Sequence, residues 1–107
     1  MRLVETFVRR VEVDGLSMAP TYAPGERLTA IRRLRRVRVG DVVIAPDPRE
    51  PTRLLLKRCV AREGRRLVLR GDNADASTDS RDFGPVDEAD VRWVLARASW
   101  RPASGDR

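Results

Sequence analysis

The sequence predicts one small, mostly-β, barrel-like domain. Three observations carry that expectation: apolar runs of strand length, breaks between them rich in Pro and Gly, and a total of 107 residues that leaves room for a single core. Residues 3–13 alternate loosely and end in Val11-Glu12-Val13, a half-exposed strand that Asp14-Gly15 breaks. Pro20, Pro24 and Gly25 forbid a regular helix next, so Ser17, within Ser17-Met18-Ala19-Pro20-Thr21, sits on a loop leaving a strand. Residues 28–31 resume a short strand. Residues 32–38 then form an arginine cluster with an apolar residue every third position, followed by a turn at Val39-Gly40-Asp41.

Residues 42–45 are an apolar run of strand type, closed by Pro46, Pro48 and Pro51 in what reads as a stiff polar loop. Residues 54–61 form the next strand. A period of two places Leu55, Lys57 and Cys59 on one face and Leu54, Leu56, Arg58 and Val60 on the other. Glu63-Gly64 reads as a hairpin turn, residues 67–69 as the returning strand and residues 71–85 as a polar loop. A short helix or turn over 87–91 leads into a last strand near 93–98. The domain is expected to span 1–101, with 102–107 a flexible tail.

Composition narrows the chemistry. An apolar content of 41% is too high for intrinsic disorder. No window approaches the ~20 apolar residues of a membrane span, and the first residues carry acids and arginines rather than a signal peptide. The expectation is a cytoplasmic or peripheral membrane protein. One cysteine and no histidine exclude an intrachain disulfide, a Cys/His zinc site, a Ser-His-Asp triad and a Cys-His dyad, and neither metal nor cofactor is expected. The net charge is +6, and of the 22 basic residues all but Lys57 are arginine. A guanidinium stays protonated in a protein, whereas a buried lysine amine can lose its proton near neutrality. The arginine cluster suggests a polyanion, yet no aromatic residue interleaves with it, so no nucleic-acid partner is expected; a solvated face, or contact with anionic lipid headgroups, suits it better.

Three segments carry chemistry: the Ser17 loop, Leu56-Lys57-Arg58, and the hydroxyl-rich stretch from Gly71-Asp72-Asn73 to Ser77-Thr78-Asp79-Ser80-Arg81 and Phe83-Gly84-Pro85. A serine hydroxyl is a poor nucleophile until a base takes its proton, and a lysine is one recurring base. That lysine must first become neutral. Its ordinary pKa of about 10.4 has to fall toward 7 or 8, a cost of roughly 3 to 4 kcal/mol that burial among leucines can supply.

These segments resemble the type I signal peptidases, serine endopeptidases whose nucleophile box reads Ser-Met-x-Pro-Thr. The likeness continues in order through Gly25-Glu26-Arg27-Leu28, Gly40-Asp41-Val42-Val43, Lys57-Arg58-Cys59-Val60 and Gly71-Asp72-Asn73 to Asp79-Ser80-Arg81. The resemblance implies a mostly-β catalytic core with Ser17 as nucleophile, Lys57 as general base and Ser77 as the hydroxyl that orients the lysine. It further implies Arg58, Asp72, Asp79 and Arg81 as supports, Met18 and Pro20 beside the substrate cleft, and a precursor protein bound as an extended strand with small residues on the acyl side of the cut. Asp72, Asn73, Asp79 and Arg81 are of residue types that stabilise loops through local bonds, so holding the loop is their expected task. Cys59 reads as a small buried apolar residue, and Met18 either lines the cleft or packs.

The departures are informative. Gly15 stands where some members carry an oxyanion-hole serine, which leaves the Ser17 amide as the one assigned donor. No membrane anchor precedes the serine, and a single short hairpin replaces the second β-domain of larger members. Within the superfamily the chain looks most like short, Arg-rich, anchorless proteins assigned to maturation of nickel-type superoxide dismutase. A general signal peptidase, a catalytically silent peptide- or nucleic-acid-binding module and an autoproteolytic repressor core remain as alternatives, the last disfavoured because 107 residues hold no separate DNA-binding domain.

Overall fold

The computed structural model of the chain describes residues 7–103, so residues 3–6 of the first expected strand and 104–107 of the expected tail lie outside the described residues. Seven strands form a single antiparallel sheet: β1 (Val8–Glu12), β2 (Arg27–Arg32), β3 (Val42–Asp47), β4 (Glu50–Glu63), β5 (Arg66–Arg70), β6 (Val86–Asp87) and β7 (Trp93–Leu95). Their spatial order is β1-β2-β7-β3-β4-β5-β6. The last strand in sequence thus lies inside the sheet, pairing with β2 on one side and β3 on the other.

β3 explains why its sequence is an unbroken apolar run. Val43 and Ala45 enter one core cluster with Cys59, Leu67, Leu69 and Val94, while Val42 and Ile44 enter another with Met18, Tyr22, Leu28 and Leu95. A strand covered on both faces has no polar side to alternate with. The mostly-β expectation is met, and β4 divides its faces by a period of two from Leu54 to Cys59, until a register shift at Val60 interrupts it. Lys57 lies opposite Val43 and Leu56 opposite Ile44, and Cys59 and Leu56 enter different clusters.

Several local expectations are corrected. Residues 46–51 form a tight hairpin instead of a stiff loop: β3 continues through Pro46 to Asp47, and β4 begins at Glu50. Pro46 is tolerated because the register shifts between it and Asp47, where a ladder bond is not required. The next turn falls one residue later than expected, at Gly64-Arg65, because Glu63 still pairs with Arg66. The polar 71–85 segment contains a 3-10 turn at Ala74–Ala76 and a one-turn helix α1 at Ser80–Phe83, capped reciprocally by Asp79 and Asp82. β7 stops at Leu95 because Ser99 and Trp100 bond back to the Ala96 carbonyl in a turn.

The 32–38 arginines are partly absorbed by the fold. Glu88, 7% exposed, accepts from the Val37 amide at 2.8 Å and pairs with Arg62 at 2.8 Å, while Arg33 Nε donates to the Val91 carbonyl at 2.6 Å and Arg35 grips Asp41 at 2.9 Å. Arg62 holds the Glu88 carboxyl down at about 2, against the opposing effect of burial and with help from the Val37 amide and Arg33. Among the described residues, no helix is long and apolar enough to cross a membrane.

Candidate active site

β4 is longer than either partner, and that length creates the site. Its first part pairs with β3 and its last part with β5, so along residues 50–57 one edge stays unpaired among the described residues. Among the described residues, β1 pairs with β2 alone. A cleft of about 480 Å³ runs between these two edges, lined by residues 11–18 on one wall and 53–57 on the other, with Ile44, Ala76 and Thr78 completing it. Consecutive residues of a strand point to alternate faces, so a cleft that touches all of 53–57 runs along the strand's edge.

Ser17 and Lys57 both line this cleft. The Ser17 turn is held from two sides. Met18, 1% exposed, packs into the core and its Sδ accepts the Asp72 amide at 3.4 Å. The Asn73 amide donates to the Ser17 carbonyl at 2.8 Å, and Asn73 Nδ2 donates to the Leu16 carbonyl at 3.0 Å. Among the described residues, the Ser17 amide and hydroxyl carry no hydrogen bond. Gly71 lets the two loops meet, since a Cβ there would lie 2.5 Å from the Ser17 carbonyl oxygen and 2.7 Å from Ser77 Cβ.

Lys57 is 3% exposed, and its Nζ donates to Ser77 Oγ at 3.2 Å. The Ser77 hydroxyl in turn donates to Asp79 Oδ2 at 2.6 Å and accepts the Gly71 amide at 3.2 Å. Asp79, fully buried, also accepts the Gly71 amide at 2.9 Å and a two-pronged grip from Arg81 at 2.9 and 2.6 Å. Burial alone would raise the Asp79 carboxyl; Arg81, Ser77 and Gly71 outweigh it and hold the group well below the usual carboxylate range. Lys57 is pushed below its ordinary value, chiefly by burial. The Asp79 charge opposes that shift, while Arg53 and Arg81 reinforce it. Arg81 therefore does two things: it anchors Asp79 and offsets the negative charge that would keep the lysine protonated.

Arg58, next to Lys57 and on the opposite face, belongs to another network. It is 6% exposed and holds Asp72 through two bonds of 2.9 Å, while also donating to the carbonyls of Gly40 and Arg101. Pro20 is exposed, follows a cis peptide bond and lies outside the cleft lining, whereas Met18 both packs and lines the cleft. Thus Ser17, Met18, Lys57, Ser77, Asp79 and Arg81 gather at or behind the cleft; Arg58 and Asp72 brace the loop from the other side of the sheet. Sequence reasoning passed over Glu12, Asp14 and Arg53 on the cleft walls and the close approach at Gly71, while Asn73, expected to hold a loop, bonds the Leu16 and Ser17 carbonyls. Arg53 was findable, since it is one further step of two beyond Leu55 and Lys57 on the same strand.

Comparison with known proteins agrees with this geometry. The family described as signal peptidase, peptidase S26 matches residues 1–70, a stretch that includes both Ser17 and Lys57. The mitochondrial ATP-independent inner membrane protease subunit 1a of Arabidopsis thaliana is 31% identical over 121 residues, covering 89% of this chain and 72% of that protein. Human mitochondrial inner membrane protease subunit 1 is 30% identical over 113 residues, covering 84% and 68%. Subunit 2 of the mouse protease is 29% identical over 132 residues, covering 95% and 75%. With a family match through both arms of the cleft and relatives aligned along most of both chains, this chain belongs to the signal peptidase, peptidase S26 family.

Proposed function

We propose that the chain is a serine endopeptidase in which Ser17 and Lys57 act as a dyad to remove an N-terminal extension from a precursor protein. The observation that carries this reading is Lys57 itself: a buried amine, bonded to a hydroxyl rather than a carboxylate, on the same cleft as Ser17. The neutral Lys57 Nζ takes the Ser17 hydroxyl proton as Oγ attacks the scissile carbonyl carbon. The Ser17 amide, which carries no other hydrogen bond among the described residues, donates to the oxygen as it gains negative charge. Protonated Lys57 then gives its proton to the leaving amine and the peptide bond breaks, leaving an acyl ester on Ser17. Lys57 next deprotonates a water that attacks the ester, and protonation of Oγ by the lysine restores the dyad. Ser77 fixes the amine's position throughout, and Asp79, by accepting from Ser77, fixes the direction of its hydroxyl. The unpaired edges of β1 and β4 suit a substrate bound as an added strand, where main-chain bonds supply affinity and side-chain pockets supply selectivity.

The substrate we propose is a nickel-type superoxide dismutase precursor, a choice supported by overall resemblance to short Arg-rich members of the superfamily. Incubation with that precursor and with a membrane-targeted secretory precursor, followed by sequencing of new N-termini, tests it. Cleavage of the dismutase precursor, lost in Ser17→Ala and Lys57→Arg, is the expected result. Cleavage of the secretory precursor alone replaces the substrate assignment with a general signal peptidase. Cleavage of neither points to a silent binding module.

A further inference from the structure

Four charged side chains line the cleft: Glu12 and Asp14 on the β1 wall, Arg53 and Lys57 on the β4 wall. The dyad accounts for Lys57. Arg53 is exposed, and among the described residues it makes no hydrogen bond or ion pair. Arg33, Arg35, Arg49, Arg58, Arg62, Arg81 and Arg101 each grip a carboxylate or a carbonyl, and what sets Arg53 apart from the other unbonded arginines among the described residues is its place on the cleft wall. Arg53 and Lys57 both lie on the β4 wall of the cleft, Arg53 just before the stretch that pairs regularly with β3 from Leu54 onward. At a strand rise of about 3.3 Å per residue, Arg53 stands roughly 13 Å along the cleft from Lys57. A peptide lying along this edge with its scissile bond at Lys57 sets the residue about four positions from the cut beside the Arg53 guanidinium.

We propose that Arg53 selects for an acidic residue about four positions from the scissile bond of the substrate, a specificity that rests on reading the cleft as the peptide site. Glu12 and Asp14, on the facing wall, disfavour an acid on their side and so narrow the register further. An exposed pair of opposite charges on adjacent strands contributes modestly, and exchanging Asp for Lys spans both attraction and repulsion, so the expected preference is about five- to tenfold. It shrinks as salt screens the pair.

The test uses quenched fluorescent poly-alanine peptides in which one Asp, Asn or Lys is walked through five positions on each side of the cut. Binding is read by anisotropy on the Ser17→Ala protein, and cleavage on the native protein. The expected result is tighter binding and faster cleavage with Asp than with Lys at one position about four from the cut, abolished in Arg53→Gln and inverted in Arg53→Glu. Equal binding of Asp and Lys peptides at every position, or a preference that survives in Arg53→Glu, overturns the proposal. Cleavage without charge preference leaves the dyad standing and removes only the role of Arg53. Selective binding without cleavage upholds Arg53 and removes the dyad instead.

Discussion

Lys57 and Arg58 are neighbours on β4, are buried to nearly the same degree at 3% and 6% exposure, and face opposite sides of the sheet. Arg58 meets a carboxylate in a two-pronged pair and two further carbonyls, so its charge is compensated where it sits. Lys57 meets one hydroxyl, and the carboxylate behind that hydroxyl is already claimed by Arg81. Burial of a cation is therefore common to both residues and decides nothing by itself. Compensation decides: the paired cation holds a loop, and the uncompensated one is pushed toward the neutral form that a general base requires.

Replacing each by methionine separates the two roles most sharply. Lys57→Met removes the proposed base and is expected to reduce cleavage about a thousandfold or more while raising stability by about 1 kcal/mol, since no amine is left to desolvate. Arg58→Met strands Asp72 beneath the sheet and is expected to cost about 3 kcal/mol, roughly 12 °C or more in thermal midpoint for a domain this size. Thermal denaturation of the two variants in one buffer reads the contrast directly; midpoints moving the same way contradict it.

Gly71→Ala attacks the hinge between the two sides. The added methyl meets the Ser17 backbone and Ser77, so the loops must part, at a cost of about 1 to 3 kcal/mol and with roughly a hundredfold loss of turnover from misplacing the nucleophile. Ser77→Ala is milder: about 1 kcal/mol in stability and a tenfold or greater fall in kcat with KM little changed. Ser77→Thr, which keeps the hydroxyl, is expected to restore kcat; equal losses in both variants would assign Ser77 to packing.

The smallest effects lie in pH dependence, where two groups act with the same sign in different windows. The folded Lys57 amine sits below its unfolded value of 10.5, so folding releases a proton in the window between the two. Stability rises with pH across that window, activity rises as pH passes the folded value, and Lys57→Met erases the stability rise. Glu88, also lowered on folding, has the same sign in an acid window: its contribution is present above 4.5 and is lost as pH falls toward about 2. Acid titration of Glu88→Gln beside the native protein, followed by circular dichroism, isolates that part.

Much of this was legible in the residues. The double-sided burial of β3 shows as a continuous apolar run, and the separation of Lys57 from Arg58 follows from a period of two. The 46–51 hairpin was hidden because three prolines mimic a loop, and only the ladder shows that Pro46 still pairs with Leu54, beside a register shift. The clamp at Gly71 was hidden for a different reason: its necessity comes from Ser17, far away in sequence, whose carbonyl fills the space a side chain would need. Likewise the 32–38 arginines read as a surface cluster until Glu88, supplied from beyond β6, takes up two of them, Arg33 and Arg36.

The placement of β7 has a consequence for the timing of synthesis. Ser17, Lys57, Ser77 and Asp79 are all translated before residue 93, yet β2 and β3 carry no ladder bonds to each other and are joined through Trp93–Leu95. A nascent chain thus holds every reactive group before it holds the sheet that aligns the two walls of the cleft. On the proposed reading, cleavage competence waits for that late strand to pair with both edges.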